Sequence, residues 1–171
     1  GFAKGELIRS TMATSPATLK WCILGAGDVC EKKAAPAAFR SAGENCFVAS
    51  VVRRNLAKGE DFSRRHEIST AYASCEEMIE RDEQGINAIY IATPPSSHFE
   101  YAKLSLEAGI KQIYVEKPVT MDAREARLLK AEIEKHGGAK LVVAHYRNSL
   151  PMFKFVHSLI TDKVVGEIRT V

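Results

Sequence analysis

The chain has 171 residues, enough for one domain with a substantial core. With 46% hydrophobic and 26% charged residues it has the composition of a soluble globular protein, and its longest apolar runs fall far short of a membrane span. The net charge is only +3, and the basic residues alternate with acids, as in Glu31-Lys32-Lys33 and Arg64-Arg65-His66-Glu67, so they read as a solvated surface rather than a nucleic-acid face.

Gly1–Ser15 lacks the apolar segment of a secretory signal. Met12 could be a native start, which would leave Gly1–Thr11 as a cloning remnant or an upstream extension, and residues 1–18 are set aside as such. Short apolar runs then alternate with helical patterns. Strands are expected at Leu19–Leu24, Cys46–Val52, Ala88–Ala92, Gln112–Val115 and Leu141–Ala144, with a weaker one near Thr70–Ala73. Several are apolar on consecutive residues, as in central parallel strands covered on both faces.

Between the strands, Asp28 opens a helical turn that Pro36 should interrupt, with a further segment near Ala37–Ala42. Asn55 caps a helix from Leu56 to about His66, which Gly59 weakens. Phe99, Ala102 and Leu106 line one face of a helix over Ser97–Ala108, and Gly109 stops it. Asp122, with Glu125 three residues on, caps a helix that runs to His136 and ends at Gly137-Gly138. From Leu150 another helix is expected, followed by Gly166 and a strand over Glu167–Val171.

Alternating β and α elements with short joins predict an α/β fold of the Rossmann type: a doubly wound, mostly parallel sheet with helices on both faces. Residues 19–148 would form that domain, and 149–171 a linking helix and the first strand of an incomplete second domain. The four cysteines, Cys22, Cys30, Cys46 and Cys75, contain no C-x-x-C pair, which argues against a zinc site or a redox motif. Cys22 and Cys46 sit in apolar runs that read as strands, so buried, inert thiols are the simplest account of these two, which suits a reducing, cytoplasmic compartment.

The segment Leu24-Gly25-Ala26-Gly27-Asp28-Val29-Cys30 joins the first strand to the first helix. Gly25 would permit the tight turn. Gly27 would let backbone N–H groups approach a pyrophosphate, with Asp28 and Val29 at the helix N-terminus. The third fingerprint position is Cys30, small enough for helix and strand to pack but not the usual Gly or Ala. A lone G-x-G could also be an ordinary βα turn; its place on the first strand favours a dinucleotide.

The second strand ends in Arg53-Arg54, where an acid would hold a ribose 2′-hydroxyl. A guanidinium pairs with a 2′-phosphate, so NADP(H) is expected in preference to NAD(H), which remains possible; the alternative is that both arginines are surface charges. The fourth strand ends in Thr93-Pro94-Pro95, with His98 close behind. His98 either lines the site or is a polar residue at a helix start. The fifth ends in Glu116-Lys117-Pro118. Lys117 could move a proton during hydride transfer, with partial burial lowering its pKa; taken alone, a Glu-Lys pair is more often a surface ion pair.

Together these residues resemble the glucose–fructose oxidoreductase / inositol dehydrogenase (Gfo/Idh/MocA) family from about Leu19 to the chain end. The markers are Thr93-Pro94-Pro95 with His98, Ala108-Gly109 and Glu116-Lys117-Pro118, then His145-Tyr146-Arg147 with Pro151 and Gly166-Glu167-Ile168. The resemblance implies that Gly25 and Gly27 hold the pyrophosphate and that Arg53 and Arg54 match basic residues of NADP-using members. It implies that Thr93, Pro94 and His98 border the cofactor and that Glu116 contacts the nicotinamide ribose. Lys117 would be the catalytic or orienting group, with Lys117–Pro118 often cis, and Arg147 would help close the nicotinamide pocket. Substrates would be sugars, cyclitols and related hydroxy compounds, oxidised at a carbinol carbon. The family's second domain, which carries most of the substrate pocket and commonly the homo-oligomer interface, is not recognisable here.

Three readings follow. The first is the cofactor-binding part of an NADP(H)-dependent oxidoreductase, binding without turnover by itself. The second is a non-catalytic dinucleotide sensor complete at this length, against which the apolar Val164–Val171 tail counts, because an exposed strand in it would invite self-association. The third is another Rossmann user, such as a methyltransferase, disfavoured by Arg53, Arg54 and the Glu116-Lys117-Pro118 match.

Overall fold

In the computed structural model, residues 18–32, 43 and 45–170 are described. The apolar runs form six parallel strands: β1 (Leu19–Leu24), β2 (Cys46–Val52), β3 (Thr70–Tyr72), β4 (Ala88–Ile91), β5 (Gln112–Val115) and β6 (Lys140–Val143). Their spatial order is β3-β2-β1-β4-β5-β6. The chain therefore winds outward from β1 in one direction and from β4 in the other, and the two halves meet between these strands.

Alternation along the strands sends side chains to two separate cores. Cys22 and Leu24 of β1 and Ile89 and Ile91 of β4 face one side, with Met78, Leu106 and Leu129. Ile23 and Tyr90 face the other, with Val51, Cys30 and Phe62. Both faces are covered, which is why β1 and β4 are apolar on consecutive residues.

Among the described residues the helices are α1 (Asp28–Lys32), α2 (Leu56–Arg65), α3 (Cys75–Arg81), α4 (His98–Glu107), α5 (Ala123–Lys135) and α6 (Pro151–Thr161). Asn55 Oδ1 accepts from Lys58 N at 3.0 Å, and Asp122 Oδ1 from Glu125 N at 2.8 Å, as the sequence led us to expect. Helix α3 was not foreseen, although Ser74 and Glu77 mark its start: Ser74 Oγ accepts from Glu77 N, and Glu77 Oε2 accepts from Ala73 N. Gly59 is buried, and a Cβ there would lie 3.3 Å from Arg53 Cβ, so this glycine lets α2 approach the end of β2 closely. The segment expected around Pro36 and Ala37–Ala42 lies outside the described residues.

One expectation is corrected. Residues 167–170 form no strand. The alternation of Ile168 with polar neighbours suits one, but a strand needs a neighbour to complete its backbone hydrogen bonds, and no described strand pairs with them. Helix α6 presents Phe153, Phe155, Val156 and Ile160 to solvent. No described helix is long and apolar enough to cross a membrane.

Candidate dinucleotide site

Where β1 and β4 part, the loops after β1, β2 and β4 enclose an open cleft of about 350 Å³. Its floor is Gly25, Ala26 and Gly27; its sides are Arg53, Arg54 and Asn55 on one hand and Ala92, Thr93 and Pro94 on the other. This is the carboxyl edge of the sheet at its switch point, where open α/β sheets take their ligands.

Gly25 has φ +90°, and a Cβ there would stand 2.7 Å from Thr93 Cγ2 and 3.0 Å from Thr93 N. Both conformation and space therefore demand glycine. A Cβ on Gly27 would meet nothing within 4 Å, so the space above this residue is free for a ligand. Cys30 is fully buried, its Sγ lies 3.5 Å from the Gly25 carbonyl oxygen it donates to, and burial pushes its thiol up to about 12. A buried, unreactive cysteine thus fills the position that usually carries Gly or Ala, and closes the turn from beneath. Val29 is exposed, and the Asp28 carboxylate, at the start of α1, is drawn aside by Lys32 Nζ at 2.9 Å.

After β2, Arg53 N donates to Tyr72 O at 2.9 Å, which continues the ladder and fixes where the two guanidinium chains depart. Lys58, in the first turn of α2, and Tyr101, on α4, also line the cleft. The sequence reading singled out neither. A lysine three residues past the Asn55 cap was the available signal for the first. Tyr101 follows His98 by one helical turn, but its direction depends on how α4 docks. Burial raises the Tyr101 phenol above its ordinary range.

Pro95 begins a 3₁₀ turn, Pro95–Ser97, that leads into α4. His98 does not line the cleft. Its ring is 1% exposed and lies between two loops, with Nε2 2.8 Å from Thr93 O and Nδ1 2.8 Å from Pro118 O. Only one of these contacts is donated by a neutral ring; the doubly protonated ring donates both.

Lys117–Pro118 is cis. Glu116 N donates to Ile91 O at 2.9 Å, and its Oε1 accepts from Tyr90 Oη at 2.8 Å. Lys117 is exposed, so the partial burial expected for it is not found in this chain: it has left the sheet one residue past Glu116 and no described element covers it. Arg147, in the 3₁₀ turn Tyr146–Ser149 after β6, is exposed and stands apart from the cleft, though on the same edge of the parallel sheet.

A model of the oxidoreductase family with an NAD-binding Rossmann fold (GFO_IDH_MocA) matches residues 19–145. The chain belongs to this family. Among its relatives, Oxidoreductase P35 of Formosa agariphila is 39% identical over 150 residues, 88% of this chain and 45% of that protein. The trans-1,2-dihydrobenzene-1,2-diol dehydrogenase of Sus scrofa is 29% identical over 153 residues, 90% of this chain and 44% of that protein. The chain thus spans less than half the length of these relatives.

Among solved structures, a variant of KijD10, a 3-ketoreductase from Actinomadura kijaniata in complex with TDP-benzene and NADP, superposes with a TM-score of 0.76 at 25% identity, covering 89% of this chain and 45% of that one. A scyllo-inositol dehydrogenase from Lactobacillus casei with bound NAD(H) and scyllo-inositol gives 0.77 at 17% identity, covering 88% and 43%, a likeness of fold alone. Neighbours with this architecture therefore hold either NADP or NAD.

Proposed function

We propose that this chain is the cofactor-binding part of an NADP(H)-dependent oxidoreductase that moves a hydride to or from a carbinol carbon of a sugar, cyclitol or related hydroxy compound. The observation that carries the cofactor choice is the lining of the cleft. Among its described residues, Arg53, Arg54 and Lys58 are cationic and none is acidic. A 2′-phosphate on the adenosine ribose would meet three cations there, whereas NAD(H) presents only a hydroxyl at that position.

The residues fit a dinucleotide. The Gly25–Gly27 turn, with the backbone amides of Asp28 and Val29, receives the pyrophosphate, and Thr93, Pro94 and Pro95 bound the opposite wall. Glu116 accepts hydroxyls of the ribose on the nicotinamide side. His98 acts from below by holding Thr93 and Pro118 in place, and Arg147 borders the nicotinamide end. When bound, the nicotinamide would supply or receive the hydride, and Lys117 would take up or return the proton of the substrate hydroxyl.

Exposure of Lys117 supports binding without turnover in this chain by itself, since nothing described excludes water or orients a substrate there. In this reading residues 19–148 are the cofactor domain, and 149–171 lead out of it into a substrate-binding part, the whole protein being a homo-oligomer. Four free cysteines, three of them buried, support a reducing, cytoplasmic setting.

Calorimetric titration of the chain with NADPH and with NADH tests the cofactor reading. NADPH is expected to bind at least about tenfold more tightly. Equal affinities, or a preference for NADH, would remove the 2′-phosphate role of the cations.

A further inference from the structure

The mid-strand phenol of Tyr90 is hard to explain by packing alone. Tyr90 is fully buried in the second core, where phenylalanine would fill nearly the same volume. A buried hydroxyl costs stability unless it is hydrogen-bonded, and this one donates to Glu116 Oε1 at 2.8 Å. Tyr90 pairs with Tyr114 across β4 and β5, and their rings pack 5.3 Å apart, which limits where the phenol can point. Glu116 lies two residues beyond Tyr114, hence on the same face of the sheet, and its amide extends the ladder to Ile91 O. Burial and the bond to Glu116 both raise the Tyr90 phenol, which therefore stays a donor.

That face is also the one on which the phosphate loop sits. Ala26 and Cys30 belong to the same core as Tyr90, and the charge of Glu116 is felt at the Cys30 thiol. Glu116 lies outside the cleft lining, one strand beyond it where β5 runs beside β4, so a ligand extending from the glycine turn past the end of β4 would reach its carboxylate. One oxygen of that carboxylate is already held from within the sheet, and Glu116 is only half-buried.

We propose that Tyr90 is a positioning residue: it anchors Oε1 of Glu116 so that Oε2 is presented to the hydroxyls of the second ribose of a dinucleotide. This deepens the cofactor reading above and rests on it. Tyr90 touches no ligand, and acts only through the carboxylate.

The test compares two probes on the chain carrying Tyr90→Phe, Glu116→Gln, or both. One probe is whichever of NADPH and NADH the parent chain binds more tightly. The other is the matching adenine half, 2′,5′-ADP or 5′-AMP, which has no second ribose. Tyr90→Phe should weaken the dinucleotide roughly five- to twentyfold and leave the adenine half within about twofold. In the Glu116→Gln background it should change dinucleotide affinity by less than about twofold.

Equal losses for both probes would show a general packing role and overturn the proposal. So would unchanged dinucleotide affinity in Tyr90→Phe, or a full effect in the Glu116→Gln background. A parent chain that binds neither dinucleotide overturns the cofactor reading and this inference with it. Should Tyr90→Phe fail to fold, Glu116→Asp draws the carboxylate one methylene away from the phenol with its charge kept. It should lose dinucleotide affinity as Glu116→Gln does, and parent-like affinity overturns the proposal.

Discussion

Thr93 occupies the space that a side chain on Gly25 would need: the two loops of the switch point are packed to 2.7 Å at an added Cβ. Gly25→Ala also forces a φ of +90° on an L-residue. The combined strain should cost about 2–4 kcal/mol, lowering Tm by roughly 5–15 °C. Thermal melts check it; a loss under about 1 kcal/mol would mean that the loops separate easily.

Arg54→Asp should weaken NADPH by at least about 30-fold and NADH by no more than about threefold, because the carboxylate repels a 2′-phosphate and not a 2′-hydroxyl. Lys58→Gln should do the same more mildly. Parallel titrations decide, and equal losses for both cofactors would make these cations a surface feature.

His98→Ala leaves the carbonyls of Thr93 and Pro118 without the ring that lies between them, and opens a cavity in a buried position. A destabilisation of about 3 kcal/mol is expected, with dinucleotide affinity falling as well. Denaturant unfolding measures the first; a change below about 1 kcal/mol would show that other contacts hold the loops together.

Helices α1 and α2 are tied by Glu31, which accepts from Arg65 Nη1 at 3.0 Å and lies 3.3 Å from His66 Nε2. The Arg65 guanidinium, then His66, hold the Glu31 carboxyl down to about 2 from its usual 4.5. A depressed folded-state pKa gives stability that is complete above about 4.5 and lost as pH falls towards 2. Glu31→Gln should therefore melt below the parent at pH 7, with the gap closing through that window. A gap independent of pH would assign the effect to packing.

Lys117→Ala, in a form of the protein that turns substrate over, should lower kcat by about 10²–10⁴ and leave dinucleotide affinity within about threefold. A parent-like rate removes Lys117 from the chemistry.

The sheet was legible because burial on both faces leaves consecutive apolar residues, and the caps Asn55 and Asp122 because their spacing to the following amides is local. Helix α3 escaped because its seven residues are too few to show a period, even with Ser74 and Glu77 in place. The Glu167–Val171 strand was over-read because an apolar pattern states a tendency and pairing needs a neighbour. Lys58 and Tyr101 reach the cleft through the docking of α2 and α4, and Tyr90 hides in an apolar run; none of this is local information. His98 was undecided in the sequence since the same position serves as lining or as buttress, and only its two carbonyl neighbours distinguish them.

The thiols also make the phosphate loop its own reporter. Cys22, Cys30 and Cys75 are fully buried, while Cys46, expected from its apolar run to be buried, is partly exposed because it stands at the very start of β2. An alkylating reagent applied to the native chain should reach Cys46 first, and Cys30 only when the turn above it opens. The labelling rate at Cys30 therefore counts openings of the Gly25–Gly27 turn, site by site and without a spectroscopic tag. Any ligand that settles on that turn should slow this clock in proportion to its occupancy.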